Sequence, residues 1–179
     1  DAFDLADIYR NPVVVLSDGL IGQMMEPVIF NPTTDRELPE KTWTIGNAQG
    51  RSSRFIRSLL LDVRVEEDHN WKLYRKYNMI SQREIRYDEY MTEDAEMIII
   101  AYGTAARIAK GAVKQARNNG MKVGLFRPIT LWPFPSSVIR EKARLVHHFL
   151  VFEMSTGQMV EDVQLALQGS AEISFYGRP

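Results

Sequence analysis

The sequence predicts an α/β fold of three layers (α/β/α) in which helices cover both faces of a mostly parallel open sheet. Three observations carry that prediction. Residues 97–102 are a nearly unbroken apolar run, as expected of a strand buried on both faces. Gly103-Thr104 then supplies a sharp turn and a helix cap, and Ala105, Ile108, Ala109, Ala112, Val113 and Ala116 fall on one helical stripe. Asn119-Gly120 ends that helix, and residues 123–126 open a second strand. The resulting βαβ unit is followed by two further strand-and-helix alternations, and single helices between strands imply parallel pairing with right-handed crossovers.

Taken from the start, Phe3, Leu5, Ala6, Ile8 and Tyr9 form the tail of an amphipathic helix stopped by Asn11-Pro12. VVVL at residues 13–16 reads as a buried strand, and Ser17-Asp18-Gly19 as a turn. A helix from Leu20 is kept short by Pro27 and Pro32. Residues 31–69 are polar and proline-punctuated, the pattern of a linker, with a short strand expected at 43–45. Residues 53–61 are ambiguous between the templates.

Residues 70–90 read as one long helix with Leu73, Tyr77, Ile80 and Glu84 along a strip, its tyrosines serving as packing residues. Arg127 opens the aromatic, proline-rich loop RPITLWPFP. A helix follows to about Val146 and places Val138, Ile139, Lys142, Leu145 and Val146 on one side. HFLVFEM at 148–154 is a third strand. Ser155-Thr156-Gly157 turns into a helix with Met159, Val160, Val163, Ala166 and Leu167 inward, and ISFY at 173–176 is the last strand. The boundaries this suggests are 1–30 for the end of a preceding domain, 31–69 for a linker, and 70–179 for the main domain.

Composition narrows the function. A net charge of −1 gives no electrostatic footprint for nucleic acid, and no apolar stretch reaches membrane-spanning length. Cysteine is absent, so the 179 residues hold no disulfide, no thiolate nucleophile and no cysteine-ligated iron–sulfur cluster. A cytoplasmic location fits. No glycine-rich phosphate loop, nucleophile elbow or HExxH motif occurs. His69, His147 and His148 lack metal-ligand spacing, so no metal site is expected. Glu153, ending an apolar strand, reads either as a partly buried carboxylate or as that strand's exposed last residue, the second being favoured.

The carboxyl edge of the sheet is the informative region, because strand ends and helix N-termini converge there. It collects Thr104, Arg127, Ser155, Thr156 and Gln158. Two readings stay open: a docking edge for a partner, or a site for a small anion or nucleotide around Thr104, Arg127 and Thr156. Trp132 and Phe134, stiffened by Pro133 and Pro135, form an aromatic knob suited either to an interface or to a tuck beneath the sheet. GQMME at 22–26 and GQMVE at 157–161 nearly repeat, either by coincidence, the favoured reading, or as two similar strand-to-helix turns in adjacent α/β domains.

AYGTAARIAKGAVKQAR, KVGLFRPITLWPFP, FEMSTGQMVEDV and the ending FYGRP resemble the α subunit of 2-oxoacid:ferredoxin oxidoreductases of the branched-chain (2-oxoisovalerate) and 2-oxoglutarate types. The opening AFDLADIYRNPVVVLSDGLIGQMMEP is similar to the end of that family's pyrimidine-binding thiamine domain. The resemblance implies a second domain like the carboxyl-terminal domain of transketolase over 70–179. It implies a parent enzyme that oxidatively decarboxylates a 2-oxoacid with thiamine diphosphate and Mg2+, passes electrons through iron–sulfur clusters to ferredoxin, and forms an acyl-coenzyme A. It also implies partner β (thiamine diphosphate-binding) and γ/δ (iron–sulfur) subunits. The glutamate that activates the aminopyrimidine is expected upstream of Asp1. No catalytic or cofactor-binding residue is therefore expected within this chain, whose implied role is assembly.

Overall fold

A computed structural model of the chain describes residues 1–29, 36–44, 50–53 and 55–179. In order, its elements are α1 (Ala2–Tyr9), α2 (Gly19–Gln23), α3 (Val63–Arg83), β1 (Tyr87–Tyr90), β2 (Met97–Ile100), α4 (Gly103–Asn118), β3 (Val123–Pro128), α5 (Ser136–Lys142), β4 (His148–Glu153), α6 (Met159–Leu167) and β5 (Glu172–Gly177). The described residues divide into two compact units, Asp1–Leu16 with Glu26–Ile80, and Ser17–Met25 with Ser81–Pro179.

The second unit is the expected three-layer α/β/α fold. Its sheet runs β1-β3-β2-β4-β5, parallel throughout except that β1 pairs antiparallel with β3. Register places Ile99 of β2 between Leu125 and Leu150. Alternation then separates two cores. Ile98, Ile100, Phe126, Phe149 and Val151 pack against Ile139 of α5 and Val163, Ala166 and Leu167 of α6. Ile99, Ala101, Val123 and Leu125 pack against Ala105, Ala106, Ala109 and Val113 of α4. Each large side chain so covered contributes roughly 1.5–3 kcal/mol. The small residues of α4 bring that helix close to the strands. They also rotate its stripe relative to expectation: Ala106 is buried and Ile108 is 54% exposed.

Several expectations are corrected. The long helix does not run from 70 to 90. It starts at Val63, because the Asp62 carboxylate accepts the N–H groups of Arg64 at 2.9 Å and Val65 at 3.2 Å, and it ends at Arg83. Residues 87–90 are a strand, since their backbone completes the open edge of β3. The helix after the proline loop stops at Lys142, leaving Leu145 82% exposed. The near-repeat of GQM needs no correction: Gly22 lies inside α2, whereas Gly157 occupies a turn at φ +114° before α6, so the two segments are not equivalent turns, in keeping with coincidence.

In the first unit, α1 ends with Arg10 in the left-handed region at φ 45°, and Lys76 donates to the Asn11 side chain at 3.0 Å. The Arg10 guanidinium lies 4.6 Å above the Trp43 ring, and Lys41 pairs with Asp7. Residues 13–16 are not a strand: Val13, Val14, Val15 and Leu16 are 40–76% exposed and pair with no described strand. The predicted strand at 43–45 is a turn and bend at 42–44, and Ile45 lies outside the described residues. Among the described residues, 53–61 form neither helix nor strand, and no helix is long and apolar enough to cross a membrane.

Candidate functional site at the carboxyl edge of the sheet

β2 leads through α4 to β3 on one side, and β4 leads through α6 to β5 on the other. The crevice between β2 and β4 is therefore the topological switch point, where doubly wound sheets usually take ligands. Each helix N-terminus flanking it meets one of the chain's own carboxylates.

At α4, Asp18 Oδ2 accepts the N–H of Thr104 at 3.0 Å while Oδ1 accepts the N–H of Ile21 at 2.8 Å. One side chain thus caps α2 and seals the start of α4. Its pKa is held below the ordinary carboxylate value, first by the Ile21 N–H and then by the hydroxyl and N–H of Thr104. The Thr104 hydroxyl is buried and near this carboxylate, though it meets hydrogen-bond geometry with no described residue. Thr104 is consequently not the cap its sequence position suggested. The Ncap is Tyr102, and Thr104 sits in the first turn. Gly103 adopts φ +56°, and a Cβ there would lie 3.1 Å from Asp18 Oδ2.

At α6 the carboxylate is Glu153. It is 0% exposed, which corrects the favoured expectation of a solvent-facing strand end and bears out the alternative of a buried carboxylate. Its oxygens accept the N–H groups of Gln158 at 3.2 Å, Met159 at 3.1 Å and Val160 at 2.9 Å, and the Ser155 hydroxyl at 3.1 Å. Three orphan amides of a helix N-terminus thereby find charged partners, which is what makes burial of this carboxylate tolerable. Its charge is felt nearby. Burial first, and then Glu153, pushes the Tyr102 hydroxyl pKa upward. Asp162 is also raised, by burial, then Glu161, then Glu153.

The other edge residues separate into two groups. Ser155, Thr156 and Gln158 belong to the β4–α6 turn, where Ser155 accepts the Gly157 N–H at 3.2 Å and Thr156 and Gln158 are exposed. Arg127, next to last in β3, lies on the far side of β2 and pairs with Asp88 at 3.3 Å. The loop after β3 is stapled down: Ile129 N–H donates to the Arg86 carbonyl at 2.9 Å, Arg86 N–H to the Thr130 hydroxyl at 3.0 Å, and that hydroxyl to the Pro133 carbonyl at 2.8 Å. The Trp132–Pro133 peptide is cis. Pro133 and Pro135 are buried and Phe134 packs on the core, while Ile129 and Trp132 are 52% and 57% exposed. The aromatic pair is thus split into one anchor and one outward knob.

These residues do not fit a thiamine diphosphate or its metal. The α6 N-terminus cannot accept a diphosphate without displacing Glu153, and at α4 the Thr104 N–H is already taken by Asp18. Among the described residues no group of three or more His, Cys, Asp or Glu side chains could hold a metal ion.

Sequence pattern does not single out Asp18 or Arg117, although both tie distant segments together. Asp18 leaves a signal only as part of a turn. Arg117 falls on a helix face that reads as solvated, yet it donates to the carbonyls of Val123 at 2.8 Å and Met91 at 2.7 Å and pairs with Asp94 at 2.8 Å.

Residues 95–179 match the family model of pyruvate:ferredoxin oxidoreductase core domain II. Over 99% of its length the chain is 44% identical to ketoisovalerate oxidoreductase subunit VorB of Methanothermobacter marburgensis, of which it covers 50%. It is 32% identical, over 96% of its length, to 2-oxoglutarate synthase subunit KorA of the same organism, covering 53% of that protein. The chain thus spans about half the length of the curated relatives it matches. A solved 2-oxoglutarate:ferredoxin oxidoreductase from Magnetococcus marinus, with 2-oxoglutarate, coenzyme A and succinyl-CoA bound, matches 66% of this chain and 21% of its own at a TM-score of 0.53. At 18% identity that is a likeness of fold.

Proposed function

We propose a function from one premise: the chain belongs to the family of 2-oxoacid:ferredoxin oxidoreductase subunits, with residues 95–179 as the core domain II. It is the carboxyl-terminal portion of an α-type subunit in a thiamine diphosphate-dependent enzyme. That enzyme oxidatively decarboxylates a 2-oxoacid to an acyl-coenzyme A and passes the electrons to ferredoxin. The observation that carries this reading is the 44% identity to a ketoisovalerate oxidoreductase subunit along nearly the whole chain.

Within the enzyme this portion holds subunits together and does no chemistry alone. Thiamine diphosphate and Mg2+ belong to the β subunit, and the iron–sulfur clusters to γ/δ subunits, consistent with a chain that contains no cysteine. Residues 1–30 close the pyrimidine-binding thiamine domain, 31–69 link, and 70–179 form the transketolase-like second domain. The exposed apolar run at 13–16 supports that division, because four consecutive aliphatic residues are the pattern of a strand awaiting neighbours on both sides. The working location is the cytoplasm. Docking is assigned to the carboxyl edge, with Trp132 on its stapled loop as the anchor and Thr104, Arg127, Phe134, Ser155, Thr156 and Gln158 shaping the surface around it. The reading of the Thr104, Arg127 and Thr156 edge as an anion or nucleotide site is the weaker one, since Glu153 already takes three amides of α6 and Asp18 takes the Thr104 N–H of α4.

Two measurements test the proposal. The isolated chain should bind no thiamine diphosphate in calorimetry, and tight stoichiometric binding would overturn the assignment of that cofactor to another subunit. The full-length subunit, co-expressed with its β and γ/δ partners, should give 2-oxoacid- and coenzyme A-dependent reduction of a viologen dye. Failure of the assembled complex to oxidise any branched-chain 2-oxoacid or 2-oxoglutarate would reject the activity.

A further inference from the structure

β5 is the last strand of the sheet, and β4 is its one neighbour among the described strands. The ladder between them fixes which way the β5 backbone points. Glu172 N–H donates to the His147 carbonyl at 2.8 Å, and Arg178 N–H to the Glu153 carbonyl at 2.9 Å. Backbone groups alternate sides along a strand, so the even-numbered residues from Glu172 to Arg178 bond to β4. The N–H and C=O groups of Ile173, Phe175 and Gly177 therefore face the open edge, where no described residue pairs with them. Edge strands are commonly blunted by a bulge, a proline or a lysine. β5 has none of these: its register with β4 is unbroken from Glu172 to Gly177, and its sequence is EISFYG. Phe175 and Tyr176 stand half-exposed on it.

The strand is complementary to its own reverse. With a twofold axis at Phe175, Ile173 falls opposite Gly177 of a second copy and Phe175 opposite Phe175. All the outward residues then meet in pairs that exchange their N–H and C=O bonds. Between them, Ser174 falls opposite Tyr176 and Glu172 opposite Arg178. Those are the close, non-hydrogen-bonded positions, where opposite charges stabilise pairing. Glu172 already meets His148 at 3.1 Å, but its exposed carboxylate has two oxygens and accepts a second cation. Arg178 lies 5.9 Å from the Tyr176 ring, a contact that uses no guanidinium hydrogen bond. We propose that β5 is a self-association edge, on which a second copy of this chain adds its own β5 antiparallel to form an isologous dimer with one continuous sheet. The register is specific, because any shift separates Glu172 from Arg178. β1, at the opposite edge, is unsuited to the same pairing: a twofold at its centre sets Asp88 against Glu89 of the second copy, and like charges oppose it. The association requires neither the thiamine enzyme's other subunits nor the Trp132 loop.

The test is sedimentation of the full chain over a range of concentrations, read beside amide hydrogen exchange by NMR. A concentration-dependent monomer–dimer equilibrium is expected. The Ile173, Phe175 and Gly177 amides should gain protection as the dimer fills, whereas Ser174 and Tyr176 are protected by β4 at every concentration. Glu172→Arg or Arg178→Glu sets like charges opposite each other at both ends of the paired strands and should weaken association about tenfold. The double exchange, Glu172→Arg with Arg178→Glu, restores the pairs and should return association to near wild type. Both positions are exposed and the double variant carries both changes, so damage to the fold cannot imitate that recovery. A chain that stays monomeric at every concentration, or a dimer in which those three amides gain no protection, would overturn the proposal. So would single variants that associate as wild type does, or a double variant no better than the singles.

Discussion

Asp18 Oδ2 accepts the backbone N–H of Thr104 at 3.0 Å although 86 residues separate the two in sequence. This bond pins the 17–25 segment to the start of α4 and closes a position that would otherwise attract an anion. Asp18→Asn should lower the melting temperature at neutral pH. The folded pKa of Asp18 is depressed, so its stabilisation is present above the unfolded carboxylate value of about 4 and is lost as pH falls through the lower folded value. The gap between wild type and variant in urea unfolding should therefore shrink in acid. A gap that is constant with pH would reject this role.

Glu153 satisfies three amides and a hydroxyl from a fully buried position. Glu153→Ala strands those donors and should cost about 2–4 kcal/mol in denaturant unfolding. Glu153→Gln should recover little of it, because the amide nitrogen turns a donor toward donors. Full recovery by glutamine would show that shape alone, without the carboxylate, is what the site requires.

Three glycines give a directional test. A Cβ at Gly124 would lie 2.6 Å from the Met91 carbonyl, and one at Gly177 would lie 2.5 Å from the Ser155 carbonyl, so alanine at either should lower the melting temperature. Gly111, in the middle of α4, has nothing within 4 Å of the added carbon. Gly111→Ala should stabilise by roughly 0.5–1 kcal/mol through helix propensity. Thermal unfolding of the three variants checks the ordering.

The two aromatics of the proline loop should separate by assay. Phe134→Ala removes a side chain packed on the core and should cost roughly 2–3 kcal/mol of stability. Trp132→Ala, at a side chain 57% exposed, should change stability far less and weaken subunit association in sedimentation of the co-expressed complex. Association unchanged by Trp132→Ala would remove the loop as a docking element.

Local pattern was enough to reveal β2, α4, β3, β4, α6 and β5, because apolar runs and helical stripes are written into neighbouring residues whatever surrounds them. The parallel α/β arrangement followed from their alternation. β1 was not legible: YDEY has no apolar alternation, and it becomes a strand only because β3 offers it an unpaired edge. The reverse happened at VVVL, whose composition is that of a strand but which has no strand to pair with among the described residues.

At the site, the sequence by itself determined which residues lie at strand ends and in the turns that follow them, since those are local facts. Only the tertiary structure decided what those residues do. Asp18 reaches Thr104 across 86 residues, Glu153 turns inward to three amides, and Arg117 leaves its helix face for two distant carbonyls. The direction of a charged side chain depends on which unsatisfied polar groups lie within reach once the chain has folded, and burial makes that dependence strong. No periodicity records it.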